Sequence, residues 1–294
     1  MDVALLGLGA MGSPMADVLH AAGARLTVWN RSPQRSNRFR GAGVTVAGDP
    51  AGAARPVVLT VLPDVDDVRA VLSGPAGLLA GWRTTGVARP LLIVMGTVSP
   101  VAVRELADEV ATDGVRVVDA PVSGGVQGAA EARLSIMVGG DEADVAEVAP
   151  VLDALGAVVL HLGPLGSGQL AKACNQVVVA ATVAAVAEAL WLARSSGLDV
   201  TVVRELLQGG LADSEVLRQK GHHWVEEDWT PGGTSRYQVK DLGFVQEVAR
   251  AAGIEVPVTD RVLELFARAV EDGDGDLDHT AVQLVIRRMR GSLE

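Results

Sequence analysis

The chain has 294 residues and contains a single cysteine, Cys174. One cysteine cannot form an internal disulfide framework, and it excludes a zinc site built on cysteines, so we expect no metal. The sequence also has no cluster of lysine and arginine, and its formal net charge is -11. Because a negative surface repels a phosphate backbone, we expect no nucleic acid partner.

A secretory signal and a clear membrane span are also missing. The first residues carry an acid in place of a positive n-region, and glycines interrupt their apolar run. One stretch, Gln176–Leu192, is apolar over most of its length, but alanine and valine dominate it and Glu188 interrupts it. Such a composition suits a buried helix better than a transmembrane helix. We therefore expect a cytoplasmic protein with no membrane partner.

Lysine is scarce as well. Among 25 basic residues only Lys172, Lys220 and Lys240 are lysine, so arginine serves almost everywhere that a general positive charge is needed. A lysine in this chain is therefore a stronger candidate for a specific chemical role than a lysine usually is.

Strand and helix patterns alternate in the first half of the chain. The strand patterns are Val3–Leu6, Arg25–Trp29, Val57–Val61, Leu91–Met95 and Val115–Val118. Such alternation predicts an α/β fold in which helices cover both faces of a parallel sheet, the doubly wound arrangement. Two further runs, Leu134–Val138 and Val158–Leu162, are expected to extend this sheet around a helix near Glu142–Leu155.

The second half is predicted to be all-α. Neither proline nor glycine occurs from Gln169 to Ser196, and one helix of that length would span about 42 Å. Further helical patterns follow at Thr201–Gln208, Ser214–Lys220, Lys240–Ala252, Pro257–Glu271 and Thr280–Arg290. We place the domain boundary near Pro164, between residues 1–163 and 164–294. Because the long helix is apolar on most faces, we also expect a homodimer or higher homo-oligomer.

A glycine-rich loop joins the first predicted strand to the first predicted helix. It consists of Gly7, Leu8, Gly9, Ala10, Met11 and Gly12. In such a loop one glycine makes the tight turn, the next lets the backbone approach a pyrophosphate, and the third lets helix and strand pack closely. The motif is weak evidence alone, but a strand before it and a helix after it predict a Rossmann dinucleotide-binding domain.

The residues after the second strand bear on the choice of cofactor. NAD enzymes carry an acid about 20 residues after the glycine loop, whereas this chain has Asn30, Arg31 and Ser32. A carboxylate would repel a 2′-phosphate, but these three side chains can donate hydrogen bonds to one. We therefore predict NADP(H) in preference to NAD(H). The alternative is that Arg31 is an ordinary solvated arginine.

Lys172 is the candidate catalytic residue. It lies in the first turn of the predicted long helix and is the only charged residue between Gln169 and Glu188. Asn175 and Gln176 follow on the same helical face. Burial can lower the pKa of a lysine toward working pH, and such a lysine can donate a proton to a carbonyl oxygen as hydride arrives. The alternative is a structural lysine that extends to solvent.

Four segments form a larger pattern: Gly7–Met15, Asp119–Gly125, Gly163–Asn175 and Lys240–Leu242. In this order and spacing they resemble the β-hydroxyacid dehydrogenase family, which includes 3-hydroxyisobutyrate dehydrogenase and the glyoxylate/succinic semialdehyde reductases. The resemblance covers essentially the whole chain. It implies hydride transfer between NADP(H) and a small hydroxy acid or its semialdehyde or keto form.

The resemblance also implies roles for individual residues. Lys172 would be the acid/base and Asn175 would orient the substrate. The substrate carboxylate would be bound by Ser123, Gly124 and Gly125. A hydroxyl followed by two glycines does offer donors to an anion, although the residues alone would equally suit a turn at a strand end. Contacts with the nicotinamide end of the cofactor would come from Leu62, Pro63, Thr97 and Lys240.

Some positions depart from the family pattern. Gly96 stands where serine is usual, and Arg133, Arg236 and Tyr237 occur where the family is less polar. These departures leave the identity of the substrate open but do not affect the predicted hydride transfer. Two other functions stay open: an imine reductase, although such enzymes usually lack the lysine, and a non-catalytic NADP-binding protein.

Overall fold

The computed structural model describes residues 1–289. Arg290, the predicted end of the last helix, lies outside the described residues. The chain divides into two compact units, one of residues 1–172 and one that begins at Ala173. The predicted boundary near Pro164 stays a prediction.

Six parallel strands form the main sheet of the first unit, in the order β3-β2-β1-β4-β5-β6. They are β1 (Asp2–Leu6), β2 (Arg25–Trp29), β3 (Thr45–Val46), β4 (Val57–Thr60), β5 (Leu91–Val94) and β6 (Arg116–Asp119). The strand order reverses between β1 and β4, and ligands of such sheets bind in the crevice at the carboxyl ends of these strands. The doubly wound fold predicted from the sequence is confirmed.

Helices cover both faces of this sheet. They are α1 (Gly12–Ala21), α2 (Pro33–Ser36), α3 (Val65–Leu72), α4 (Leu78–Thr85), α5 (Pro100–Ala111), α6 (Gly125–Ala130) and α7 (Glu142–Asp153), with 3₁₀ turns at Asn37–Phe39 and Ala51–Ala53. Strand β1 shows why two layers are needed. Val3 and Leu5 are buried in one hydrophobic cluster, and Ala4 and Leu6 are buried in another on the opposite face.

The prediction that two more strands extend the main sheet is wrong. Residues Leu134–Val138 form β8, which pairs antiparallel with β7 (Val122–Ser123) and parallel with β9 (Gly156–His161) in a separate three-stranded sheet. A bridge between Asp119 and Gly139 links the end of β6 to the end of β8. The error has a physical cause, because hydrophobic periodicity identifies a strand but carries no information about its partner.

The second half is helical, as predicted. After the long helix α8 (Ser167–Ser195), the described residues form α9 (Val200–Gln208), α10 (Glu215–Glu226), α11 (Ser235–Ala252), α12 (Pro257–Glu271), a 3₁₀ turn at His279–Ala281, and α13 (Val282–Arg288). Helix α11 begins before the predicted start at Lys240. The side chain of Thr234 caps it by accepting a hydrogen bond from the backbone N–H of Tyr237.

Helix α8 is apolar enough to pass for a membrane span on length and composition alone, with a mean hydropathy of 1.8 over its most apolar window. Val183, Ala187 and Leu190 are nevertheless buried in the core of the second unit. Val178 and Leu192 are each 65% exposed. The homodimer, the cytoplasmic location and the absence of a membrane partner stay predictions.

Lys220, one of the three lysines, has a structural position in the second unit. Its Nζ lies 2.7 Å from Oδ2 of Asp278, which is fully buried. The same carboxylate accepts hydrogen bonds from the backbone N–H groups of Gly232 and Thr280. Removal of one partner of such a buried ion pair strongly destabilises the fold, so the contact gives Lys220 a structural role.

Candidate active site

The three glycines of the loop after β1 occur for different physical reasons. Gly7 has φ +100°, and a Cβ there would lie 2.3 Å from the carbonyl oxygen of Val61. A Cβ on Gly12 would lie 1.9 Å from the carbonyl oxygen of Gly7. Gly9 differs, because its Cβ would meet only Nη1 of Arg35, at an ordinary 3.6 Å. The fold therefore requires Gly7 and Gly12, while Gly9 leaves space that a ligand can use.

The start of α1 also suits an anion. Met11 at the N-cap makes no capping hydrogen bond through its side chain, and the first turn contains no acid. The positive end of the helix dipole therefore points at the loop without a neutralising carboxylate. Together with the space beside Gly9, this arrangement fits the pyrophosphate of a dinucleotide.

Of the residues after β2, Asn30 makes hydrogen bonds that support the glycine loop, and Arg31 is a polar group exposed to solvent. Oδ1 of Asn30 accepts a 2.8 Å hydrogen bond from the backbone N–H of Leu8, and its Nδ2 donates a 3.0 Å bond to the carbonyl oxygen of Ser32. Asn30 therefore holds the glycine loop in place. The side chain of Arg31 is 85% exposed, and its Nη1 lies 3.5 Å from Oδ1 of Asp67.

Arg35 is a candidate cofactor residue that the sequence analysis did not assign. Its guanidinium reaches the space beside Gly9, although it lies in the short helix α2 and not at the end of β2. No motif marks this position. Its nearness in sequence to Arg31 is a weak signal, because Arg31 lies outside α2.

The predicted carboxylate-binding segment follows β7 directly. Ser123 ends that strand, and Gly124 and Gly125 have φ angles of +134° and +68°. Both angles lie in the region where a side chain would be strained, so the backbone requires glycine at both positions. The segment accordingly presents a hydroxyl beside backbone that no side chain covers.

The loops after β4 and β5 meet at the carboxyl edge of the main sheet. A Cβ on Gly96 would lie 1.9 Å from the carbonyl oxygen of Leu62. The departure from serine at position 96 therefore has a structural reason, because the loop of Leu62 and Pro63 occupies the space that a side chain would need. Thr97 comes next in the chain and is half-buried.

The start of α8 is bound to the end of β6. The carboxylate of Asp119, fully buried, accepts 2.7 Å hydrogen bonds from the backbone N–H groups of Gly166 and Gln169. A Cβ on Gly139 would lie 2.3 Å from Oδ1 of Asp119, so the contact is tight. Lys172 lies one turn further along α8 and is only 7% exposed.

Polar side chains of the second unit form a connected series. Nδ2 of Asn175 donates a 2.9 Å hydrogen bond to Oε1 of Gln176, whose Nε2 donates a 2.7 Å bond to Oδ2 of Asp241. Oδ1 of Asp241 lies 2.9 Å from Nζ of Lys240, which also lies 4.7 Å from the ring centroid of Phe244. The structure therefore connects the predicted substrate residue Asn175 to the predicted cofactor residue Lys240.

The residues that put the substrate in doubt lie at the surface. Arg133 forms an ion pair with Glu131, and Nε of Arg236 lies 3.2 Å from Oδ1 of Asp276. Tyr237 is 46% exposed. The charge of each arginine is thus matched by a neighbouring acid.

Two known protein families match the two halves of the chain. Residues 2–163 match the NAD binding domain of 6-phosphogluconate dehydrogenase, and residues 166–286 match the NAD-binding domain of NADP-dependent 3-hydroxyisobutyrate dehydrogenase. The chain therefore belongs to the β-hydroxyacid dehydrogenase family. It is an NAD(P)-dependent oxidoreductase of the class that acts on CH–OH groups.

Individual relatives span nearly the full length. The chain is 34% identical over 290 residues to 2-hydroxy-3-oxopropionate reductase of Escherichia coli, covering 98% of each chain. The crystal structure of 3-hydroxyisobutyrate dehydrogenase from Salmonella typhimurium is similar with a TM-score of 0.89 and 27% identity, covering 97% of this chain and 99% of the other. The 3-hydroxyisobutyrate dehydrogenase of Mycobacterium tuberculosis with L-serine is similar with a TM-score of 0.78 and 32% identity, at the same coverage.

Asp119 makes the stability of the protein depend on pH. Burial raises the pKa of the Asp119 carboxyl to about 6, although the N–H groups of Gly166 and Gln169 oppose the shift. Since the unfolded pKa is lower, the native state binds more protons between about pH 4 and 6, and stability from this group is lost as the pH rises. Relative to Asp119→Asn, the wild type should lose about 2 kcal/mol of unfolding free energy between pH 4 and 7.

Urea unfolding at several pH values measures this difference. Asp153→Asn, at an exposed position on α7, is the matched control and should give a curve parallel to that of the wild type. A constant difference between Asp119→Asn and the wild type across this range would contradict the prediction.

Proposed function

We propose that the protein transfers hydride reversibly between NADP(H) and a small hydroxy acid or its semialdehyde or keto form, with Lys172 as the acid/base. The observation that carries this proposal is the burial of Lys172, 7% exposed, near the N-terminus of α8. A cation at the positive end of a helix is electrostatically unfavourable, so a purely structural role is a poor reason for a lysine there. Family membership supplies the hydride chemistry.

Each residue has a part in this mechanism. The bound cofactor supplies or accepts the hydride. During reduction Nζ of Lys172 donates a proton to the carbonyl oxygen, and during oxidation it takes the proton of the hydroxyl. Ser123, Gly124 and Gly125 hold the substrate carboxylate, and Asn175 orients the substrate.

The preference for NADP(H) rests on charge at the end of β2. No acid stands at Asn30, where a ribose-binding carboxylate would be expected. Arg31 and Ser32 offer exposed donors, and the guanidinium of Arg35 lies near the glycine loop. Leu62, Pro63, Thr97 and Lys240 are proposed to contact the nicotinamide end.

A substrate panel tests the function as a whole. Semialdehydes, glyoxylate, 3-hydroxy acids and cyclic imines are each incubated with NADPH or NADH while nicotinamide absorbance is followed. We expect turnover of a hydroxy acid or its oxidised form, faster with the phosphorylated cofactor. Turnover of imines alone would identify an imine reductase, and no turnover with any compound would favour a non-catalytic NADP-binding protein.

Lys172→Ala tests the acid/base assignment. Loss of a positioned proton donor should lower kcat by about 10²–10⁴-fold while NADPH still binds. Cofactor fluorescence measures binding and steady-state kinetics measures kcat. A variant that keeps a rate near that of the wild type would refute the role of Lys172.

Arg31→Ala tests the choice of cofactor. Losing a charge-assisted contact of about 1.5–3 kcal/mol with the 2′-phosphate should raise Kd for NADPH by roughly 10–100-fold. Kd for NADH should change little, because NADH has no such phosphate. Arg40→Ala, at an exposed position of the same segment, is the control. Equal effects of Arg31→Ala on both cofactors would sink the assignment.

A further inference from the structure

We propose that Gln169 is a positioning residue that fixes the turn carrying Lys172 against the loop after β5. This inference rests on the proposed function. Gln169 lies in the first turn of α8 and is 1% exposed. Lys172 follows three positions later, on the same helical face.

Both ends of the Gln169 amide are bonded to one loop. Its Oε1 accepts a 3.0 Å hydrogen bond from the backbone N–H of Val98, and its Nε2 donates a 2.8 Å bond to the carbonyl oxygen of Gly96. These two backbone groups flank Thr97, which is proposed to contact the nicotinamide end of the cofactor. One side chain therefore sets the distance between the Thr97 segment and the turn of Lys172.

Gln169 and the loop are each held from a second side. The backbone N–H of Gln169 donates its 2.7 Å bond to the carboxylate of Asp119. The carbonyl oxygen of Leu62 packs so closely on Gly96 of the loop that a Cβ there would lie only 1.9 Å away. The loop is thus in contact with both Leu62 and Gln169, and a shift of the Gln169 backbone would also disturb its hydrogen bond to Asp119.

An amide is the side chain that this position requires. It provides an acceptor for Val98 and a donor for Gly96 on one planar group, whereas an ionised carboxylate only accepts. Methionine has a similar length but would leave two buried backbone groups without partners. A displacement of about 1 Å in a catalytic group can lower the rate by about 10²-fold.

The kinetic test uses Gln169→Met with Gln283→Met as the matched control. Gln283 is also 1% exposed and uses both ends of its amide, donating 2.9 Å to the carbonyl oxygen of Ala187 and accepting 2.7 Å from Arg287. Gln169→Met should lower kcat by about 10–100-fold and change the substrate KM less than about threefold. Gln283→Met, normalised to folded protein, should leave kcat within about twofold.

Gln169→Glu adds a rescue experiment. At pH 8 the ionised carboxylate cannot donate to Gly96, so kcat should fall as it does in Gln169→Met. As the pH is lowered to 6, a buried carboxyl regains its proton and can donate again. The ratio of the variant's kcat to that of the wild type should therefore rise as the pH falls, whereas the ratio for Gln169→Met should not.

A measurement without turnover uses the scarcity of lysine. The chain has only Lys172, Lys220 and Lys240, so lysine-specific isotope labelling gives three side-chain NMR signals in the full-length protein without cofactor. Gln169→Met should shift the Lys172 signal and leave those of Lys220 and Lys240 in place. Hydrogen exchange at the backbone N–H of Val98 should also become faster.

Three results would overturn the proposal: a kcat for Gln169→Met within twofold of the wild type, an unshifted Lys172 signal, or an equal loss of kcat in Gln283→Met. Failure of the proposed function can be distinguished from these three results. If the wild type turns over none of the compounds in the panel, the function fails, while the NMR comparison still decides whether Gln169 positions Lys172.

Discussion

The carboxylate of Asp119 is the contact on which the arrangement of the first unit depends. Asp119 is the last residue of β6. Its carboxylate accepts hydrogen bonds from the backbone N–H groups of Gly166, just before α8, and of Gln169 in the first turn of α8, where an anion is stabilised by the helix dipole. Burial of that carboxylate costs free energy, which the two hydrogen bonds offset only in part, as the pKa of about 6 shows. A Cβ on Gly139 would lie 2.3 Å from the carboxylate, and a Cβ on Gly168 would lie 2.2 Å from the carbonyl oxygen of Met137 and 2.8 Å from the carboxylate. A costly contact with two dedicated glycines fixes where the helix of Lys172 begins.

The parallel sheet then collects the other site residues at the same edge. The glycine loop, Leu62 and Gly96 follow the carboxyl ends of β1, β4 and β5 respectively, and Asp119 is the last residue of β6. In a parallel sheet these ends necessarily lie side by side, so segments far apart in sequence become neighbours. Two sets of contacts fix the positions of these segments. Gly96 packs closely on Leu62, and Gln169 makes hydrogen bonds to Gly96 and Val98.

The sequence predicts the doubly wound sheet, the long helix and the glycine loop, because periodicity and glycine spacing depend on local physics. It does not predict that β8 belongs to a second sheet, since partner choice depends on the path of the chain after Asp119. Gln169 and Arg35 were missed for a related reason. A single polar residue in a helix has no signature until its neighbours in space are known, and Gly96 and Gly9 lie far from Gln169 and Arg35 in the sequence. The same limit made Gly96 look like an unexplained departure from serine.

Two glutamines on α8 each make an amide contact within one unit. Gln169 bonds within the first unit to Gly96 and Val98, and Gln176 bonds within the second unit to Asp241. Their seven-residue spacing puts them two turns apart on one helical face, with Lys172 between them. We therefore expect the amide contacts of Gln169 to fix the turn that carries Lys172 against the loop after β5.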